Sequence, residues 1–295
     1  MKESAVSVFR PEGSPKASVV IVHGMAEHHR RYDDLAKVLA QHGYAVYTYD
    51  LPGHGDAVDN DKDLGWFGKE NGWNTLCSSA VDMMARAKKE NPEAPLVLMG
   101  HSMGTIICRC VLQDHDKDID ALILSGAPNY QSAAGIGINL AKVIRTFKGA
   151  HGYSRMLDGM VTGNFNKSVS NPRTPDDWLS FSTENVDAYL ADKYCGFPFT
   201  IQGYIDEMTG VVQMHDVSRF HCTKPDLPIY FFAGESDPCI GGQEGFQDSQ
   251  DTLKKAGYRN ISAKLWPNMR HETMHEKDRA AVYEDTASWI DSQIG

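Results

Sequence analysis

The segment Gly100-His101-Ser102-Met103-Gly104 follows an apolar, strand-like run over 95–100 and precedes a helical pattern over 105–115. A serine in that strand–turn–helix setting is held in a sharp, strained turn with its Oγ exposed. Flanking glycines are required because side chains there would crowd the strand and the helix. The turn opens at the C-terminal edge of a parallel sheet, where open α/β folds place their ligands. The following helix points its first N–H groups and positive dipole end at the site. Such a serine is a candidate nucleophile for acyl transfer. A second stretch, Arg270-His271-Glu272-Thr273-Met274-His275-Glu276, contains His-Glu-x-x-His. On a helix that spacing presents two zinc ligands and a glutamate base. The two readings compete for His271.

A serine hydroxyl needs a base to take its proton, and the base needs an acid to hold its tautomer. On a sheet of this kind the chain order is serine, then Asp or Glu, then His. Asp237 lies in the loop Glu235-Ser236-Asp237-Pro238, after the strand-like run 227–234. His271 lies just after the run 261–267. Both fall at C-terminal strand ends, on the same edge as Ser102. Glu235 is a rival acid, but the Asp-Pro turn favours Asp237. Asp50 also ends a strand, yet it precedes the serine and reads as a carboxylate that bonds loop backbone. The oxyanion of acyl transfer needs two preorganised N–H donors. One is the backbone N–H of Met103, and the other falls on Met25, after the strand end His23-Gly24. The zinc reading is weaker. It needs His271 and His275 one turn apart on a helix plus a third ligand. However, Pro267 and Asn268 place His271 in a loop, no histidine follows His275, and only Glu284 lies near enough to serve. His271 is therefore read as the base and His275 as lying near the start of the final helix. Glu272 becomes a loop or helix-start residue.

These residues must be carried by a regular scaffold, and the pattern supplies one. β-branched runs at 18–24, 44–50, 95–100, 119–126, 227–234 and 261–267 alternate with helical patterns at 31–43, 74–92, 105–115, 243–257 and the C-terminus. The alternation predicts a mainly parallel central sheet with helices on both faces. It breaks between about Pro128 and Pro225, too long a stretch for a structureless loop in a compact domain. The expected organisation is a core of 1–127 and 226–295 with an inserted cap over 128–225. Twelve apolar cap residues (Ile136, Ile138, Leu140, Phe147, Met156, Leu157, Met160, Phe165, Phe197, Phe199, Ile201 and Met208) form the cap's own core or line an acyl pocket, packing being the commoner role.

Composition narrows the function classes. The formal net charge of -10 argues against nucleic acid as a partner, since phosphate neutralisation needs basic surface. No apolar run reaches the roughly 18 residues of a membrane span, and the N-terminal residues lack an apolar signal core. Six dispersed cysteines without Cys-x-x-Cys read as reduced thiols of a cytoplasmic protein.

The stretches HGMAEHHRRYDDLAKVLAQHGYAVYTYDLPGHG, LMGHSMGTI, FAGESDP and NMRHETMHE together resemble the monoacylglycerol lipase and lysophospholipase branch of the α/β-hydrolases, the serine aminopeptidase-like hydrolases. His-Gly-x-x-Glu-His followed by Arg-Tyr is the most specific of these matches. Two positions depart from the family pattern: Thr105 stands where a second glycine is usual, and Asp56 follows the Gly-His-Gly loop. The resemblance implies an α/β-hydrolase fold with Ser102, Asp237 and His271 as triad and Met25 and Met103 as oxyanion donors. It implies a small acyl ester of lipid type as substrate, transient contact with lipid aggregates, and neither metal nor organic cofactor. A proline-releasing aminopeptidase on the same fold is the alternative.

Overall fold

The structure, a computed structural model, describes residues 2–162 and 165–294. Its centre is a seven-stranded sheet built from β1 (Val6–Phe9), β2 (Ala17–Val22), β3 (Tyr44–Tyr49), β4 (Leu96–His101), β5 (Ala121–Ser125), β6 (Ile229–Gly234) and β7 (Ile261–Trp266), in the order β1-β3-β2-β4-β5-β6-β7. β2 to β7 run parallel, and β1 pairs antiparallel with β3 at the edge. The mainly parallel sheet expected from the alternation is the one formed.

The β-branched runs are continuous because both faces of the central strands are covered, as parallel sheets require. Successive side chains point to opposite faces. Val20, Val22, Leu98, Leu122, Leu124 and Phe231 pack with residues of α2 (Gly72–Glu90) and α3 (Met103–His115). Val19, Ile21, Val97, Met99, Ile123 and Phe232 pack with α1 (Asp33–Gln41) and α9 (Arg279–Ile294). Each such side chain, fully removed from water, contributes about 1.5–3 kcal/mol. α8 (Gly242–Lys255) completes the α2–α3 face through Phe246 and Leu253.

The segment between β5 and β6 is mostly helical: α4 (Ala134–Lys148), α5 (Arg155–Val161), α6 (Thr183–Ala191) and α7 (Ile201–His215), with 3-10 turns between them. α7 packs against α2, α3 and α4, which ties this segment to the core. Of the apolar residues named there, Leu157, Phe199, Ile201 and Met208 are buried and Ile138, Phe165 and Phe197 are partly buried. Ile136, Leu140, Phe147, Met156 and Met160 are instead exposed, up to 85% for Phe147. They therefore belong neither to a core nor to an enclosed pocket.

Candidate active site

Ser102 connects β4 to α3 with φ 51° and ψ -121°, a region that costs a non-glycine residue on the order of 1–3 kcal/mol. The turn is fixed by Ser102 N–H donating to Ser125 O (3.0 Å) on the neighbouring strand. Thr105 closes the other side: its N–H and its hydroxyl donate to Ser102 O at 2.8 and 2.7 Å. The unusual threonine thus adds a hydrogen bond to the serine turn. Close packing explains the glycine at 104, where a Cβ would lie 2.1 Å from Val22 O. The helix begins at Met103, two residues earlier than the periodicity placed it, so the Met103 N–H is one of the donors a helix start leaves unpaired.

Asp237 and His271 come together from loops after β6 and β7. A carboxylate can only accept, so His271 Nδ1–H donates to Asp237 Oδ2 (2.9 Å), leaving Nε2 as the free acceptor of the neutral ring. Asp237 Oδ1 accepts from Cys239 N–H (2.8 Å). Glu235, the rival acid, is exposed. The His271 ring lies 4.8 Å, centroid to centroid, from that of His101, the residue before Ser102, and 5.1 Å from the Trp178 indole, which covers it. His271 is only 2% exposed. Burial opposes its charged form, but the charge and hydrogen bond of Asp237 prevail and raise its pKa above the usual value of 6.5. His101 goes the other way, pushed down to about 4 by burial and then by His271, so it stays neutral beside a ring that charges. If His271 is the base, kcat/KM for a soluble ester rises with pH through a midpoint above 6.5, and Asp237→Asn moves that midpoint down. A profile flat from pH 5 to 9, or a midpoint below 6.5, would contradict this.

Met25 follows Gly24 at the end of β2. A Cβ at residue 24 would lie 3.1 Å from Ser102 Cβ and 2.8 Å from Glu27 Oε1, so only glycine lets this loop approach the serine so closely. Buried Glu27 organises the loop. Its Oε1 accepts from Gly24 N–H (2.5 Å) and Tyr32 OH (2.7 Å), and its Oε2 from Arg31 Nη1 (2.8 Å). Arg31 also forms a two-point bond with Glu272, Nη1 to Oε1 at 2.5 Å and Nη2 to Oε2 at 2.9 Å. Asn185 of α6 donates to Glu272 Oε2 (2.6 Å), and Tyr189 OH donates to Ala26 O (3.2 Å). One arginine therefore joins the Met25 loop, the His271 loop and α6.

Glu272 is thus more than the loop residue its sequence position indicates: it is a buried anion held by Arg31. His275 lies in a 3-10 turn (Thr273–His275), four residues before α9, and donates from Nε2 to Arg31 O (2.9 Å). His271 and His275 are committed to different partners. Among the described residues, the groups with donor atoms clustered as a metal would need them are Asp237–Cys239–His271 and His28–Asp192–Cys195, and neither contains the His271–His275 pair. Asp50 behaves as read from the sequence, accepting from the backbone N–H groups of His29 (2.8 Å) and Asp56 (2.7 Å).

Four residues escaped the sequence reading. Glu27 and Arg31 had a signal, an i,i+4 acid–base pair inside the Glu-His-x-x-Arg-Tyr stretch. Trp178 and Glu276 had none. Glu276 receives the N–H groups of Arg270 (3.0 Å), Phe181 (2.9 Å) and Ser182 (3.2 Å), clamping the histidine loop to the segment that carries Trp178.

The family model described as serine aminopeptidase, S33, matches residues 13–278. The monoacylglycerol lipase of Mycolicibacterium smegmatis is 25% identical over 290 residues, covering 97% of this chain and 92% of the relative. The monoglyceride lipase of Rattus norvegicus is 25% identical over 280 residues, covering 91% and 83%. Among solved structures, a thermostable carboxyl esterase from Bacillus coagulans, in complex with glycerol, superposes with a TM-score of 0.84 at 27% identity, covering 98% of this chain and 94% of the esterase.

Proposed function

The chain belongs to the serine aminopeptidase S33 family of hydrolases, and from that membership we infer its activity: it is a carboxylic ester hydrolase acting on lipid-like acyl esters. The observation that carries the mechanistic reading is the buried Asp237–His271 hydrogen bond beside a serine in a strained strand–helix turn. In our reading Ser102 is the nucleophile and His271 Nε2 takes its proton. Asp237 holds the ring and balances the imidazolium. The N–H groups of Met25 and Met103 receive the oxyanion of each tetrahedral intermediate. His271 then gives its proton to the leaving alcohol and activates the water that releases the fatty acid. The aminopeptidase alternative has less support, because the relatives named above are lipases and an esterase.

We take residues 128–225 as the cap over this site, with lysophospholipids beside monoacylglycerols as candidate substrates. Ile136, Leu140, Val143 and Phe147 form an exposed apolar stripe along α4, flanked by Lys142, Arg145 and Lys148. An exposed apolar patch of this kind marks an interaction surface, and we read it as the point of transient contact with lipid aggregates. No helix among the described residues is long and apolar enough to cross a membrane. All six cysteines are unpaired, which fits the cytoplasm as compartment.

A fluorophosphonate probe labels Ser102 in the wild-type protein, and a panel of acyl esters, in solution and in vesicles, is cleaved in preference to aminoacyl-proline peptides. Absence of labelling would end the serine-hydrolase reading. Peptide cleavage outpacing ester cleavage would restore the aminopeptidase.

A further inference from the structure

Two clusters of metal-ligating side chains stand among the described residues. Asp237–Cys239–His271 is taken up by the proposed triad, whereas His28–Asp192–Cys195 has no role in it. The second cluster joins chain segments 164 positions apart. Asp192 and Cys195 come from the turn Asp192-Lys193-Tyr194-Cys195, directly after α6, which is closed by Cys195 N–H donating to Asp192 O (3.0 Å). The first and fourth residues of such a turn lie within about 7 Å at their Cα atoms, so carboxylate and thiol stand side by side. Gly196, at φ 68°, then donates its N–H to Ala26 O (2.9 Å), and Tyr189 OH of α6 donates to the same carbonyl (3.2 Å). Those two bonds seat the turn on the loop that carries Met25, and His28 lies on that loop, two residues beyond Ala26. There the donor atoms meet. His28 Nε2–H donates to Asp192 Oδ2 (3.0 Å), and one ring nitrogen, one carboxylate oxygen and Cys195 Sγ all lie within 4.8 Å of one another. A tetrahedral ion with bonds of about 2.0–2.3 Å spaces its ligands roughly 3.3–3.8 Å apart, so the set closes with a shift of roughly 1 Å. Asp192 is already oriented for this, because its Oδ1 accepts from Tyr194 N–H (2.8 Å) and leaves Oδ2 for the cluster. The three residues are only partly buried, with 36% of the Asp192 side chain exposed, so a water reaches the fourth position. Neighbouring cations are engaged elsewhere: Lys193 pairs with Asp61 (3.4 Å), and Arg31, whose charge reaches Cys195, is held by Glu27 and Glu272.

We propose that His28, Asp192 and Cys195 bind a zinc ion that fastens the turn after α6 to the loop after β2. A thiolate with an imidazole selects borderline-soft zinc over magnesium and calcium, which take oxygen ligands. The carboxylate and the thiolate together neutralise the dication. On binding, the ion replaces the proton between His28 and Asp192. That ring proton moves to Nδ1, the Cys195 thiol gives its proton to water, and one proton leaves for each ion bound. The ion is structural: it reinforces the bonds to Ala26 and takes no part in acyl transfer. None of its three ligands belongs to the proposed triad or the oxyanion pair, so the proposal stands independently of the ester-hydrolase reading.

The test titrates the untagged full chain, with its thiols reduced, with Co(II) as a spectroscopic stand-in for zinc. The wild type is expected to take up one ion, with thiolate-to-cobalt charge-transfer absorption in the near ultraviolet that added zinc bleaches. Cys195→Ser loses that absorption, and Cys239→Ser keeps it. Asp192→Asn, a second variant should Cys195→Ser not fold, can still accept from Tyr194 N–H but binds at least tenfold more weakly, on the order of the loss expected when a metal site is disturbed. Zinc at a hundredfold excess over its Kd raises the Tm of the wild type by about 4 °C and leaves that of Cys195→Ser unchanged. Absence of saturable absorption in the wild type overturns the proposal. Absorption that Cys195→Ser and Asp192→Asn both retain in full overturns it too, as does absorption lost only in Cys239→Ser, since the ion then sits at Asp237–Cys239–His271.

Discussion

Replacing Ser102 by alanine lowers kcat on any acyl ester by on the order of 10⁶-fold, the scale seen when a serine nucleophile is removed from a serine protease. Binding of the ester persists, so the loss falls on kcat. The size follows from the roles assigned here: without the hydroxyl there is no acyl-enzyme, and the Met25 and Met103 donors have only a water-derived intermediate to stabilise. The structure adds a control. Ser102 Oγ donates no hydrogen bond among the described residues, whereas its backbone N–H and C=O are bonded to Ser125 and Thr105. Ser102→Ala keeps the Cβ and those backbone bonds, so it melts within a degree or two of the wild type. Ser102→Gly is equally inactive but relieves the strain at φ 51°, on the order of 1–3 kcal/mol, against a glycine entropy cost of about 0.5–1 kcal/mol. It therefore melts no lower than the wild type. A residual rate within 100-fold of wild type in Ser102→Ala would move the nucleophile elsewhere. A markedly lower melting temperature for Ser102→Gly would mean that the turn is not strained.

The core was legible because parallel strands buried on both faces must be written as unbroken apolar runs, and the six runs from 18–24 to 261–267 each became a strand. β1 was missed: four half-buried residues at an edge carry too little pattern to be distinguished from loop. The residues proposed for the site could be picked out where backbone geometry restricts residue choice, as at the glycines around Ser102, or where chain order matters, and the predicted pairing of Asp237 with His271 is present as a hydrogen bond. The supporting residues were not. Glu272 shows why. Its sequence neighbourhood, His-Glu-x-x-His, pointed to a metal base, and eliminating that role left it none. Its actual partner, Arg31, lies 241 positions away, and no local pattern encodes so distant a pairing. The same holds for Glu276 and the 177–182 segment. Apolar residues of the inter-strand segment were hardest of all, since Phe147 and Phe199 look alike in the chain but one is exposed and the other fully buried.

Arg31→Met is expected to be the most destabilising single change near the site that leaves Ser102, Asp237 and His271 in place. The guanidinium is buried between Glu27 and Glu272, at 2.8 Å from the one and 2.5 Å from the other. Burial by itself works against every one of these charges. The pair is kept ionised by mutual attraction, with both glutamate pKa values depressed and that of the arginine raised. Removing one partner of a buried ion pair costs about 3–5 kcal/mol, because the other charge stays behind without compensation. Here two carboxylates are stranded, and at 295 residues that loss corresponds to a fall in Tm of roughly 5–8 °C. The triple change Arg31→Met, Glu27→Gln, Glu272→Gln recovers part of it, since no charge is then left buried. The pH dependence has a definite sign. Both glutamates have folded pKa values below their ordinary 4.5, so the stability they supply is fully present above that pH and is lost as pH falls through the folded values. Arg31→Met removes the compensation, so its deficit against wild type is largest near neutral pH and narrows in acid, where the stranded carboxylates protonate. Activity should suffer as well, because Glu27 holds the Gly24–Met25 loop and Glu272 the His271 loop. Thermal melts at pH 4.5 and 7.5 decide the matter. A Tm loss under about 2 °C at pH 7.5, or a deficit that widens in acid, would show that the arginine is not the ion that neutralises this pair.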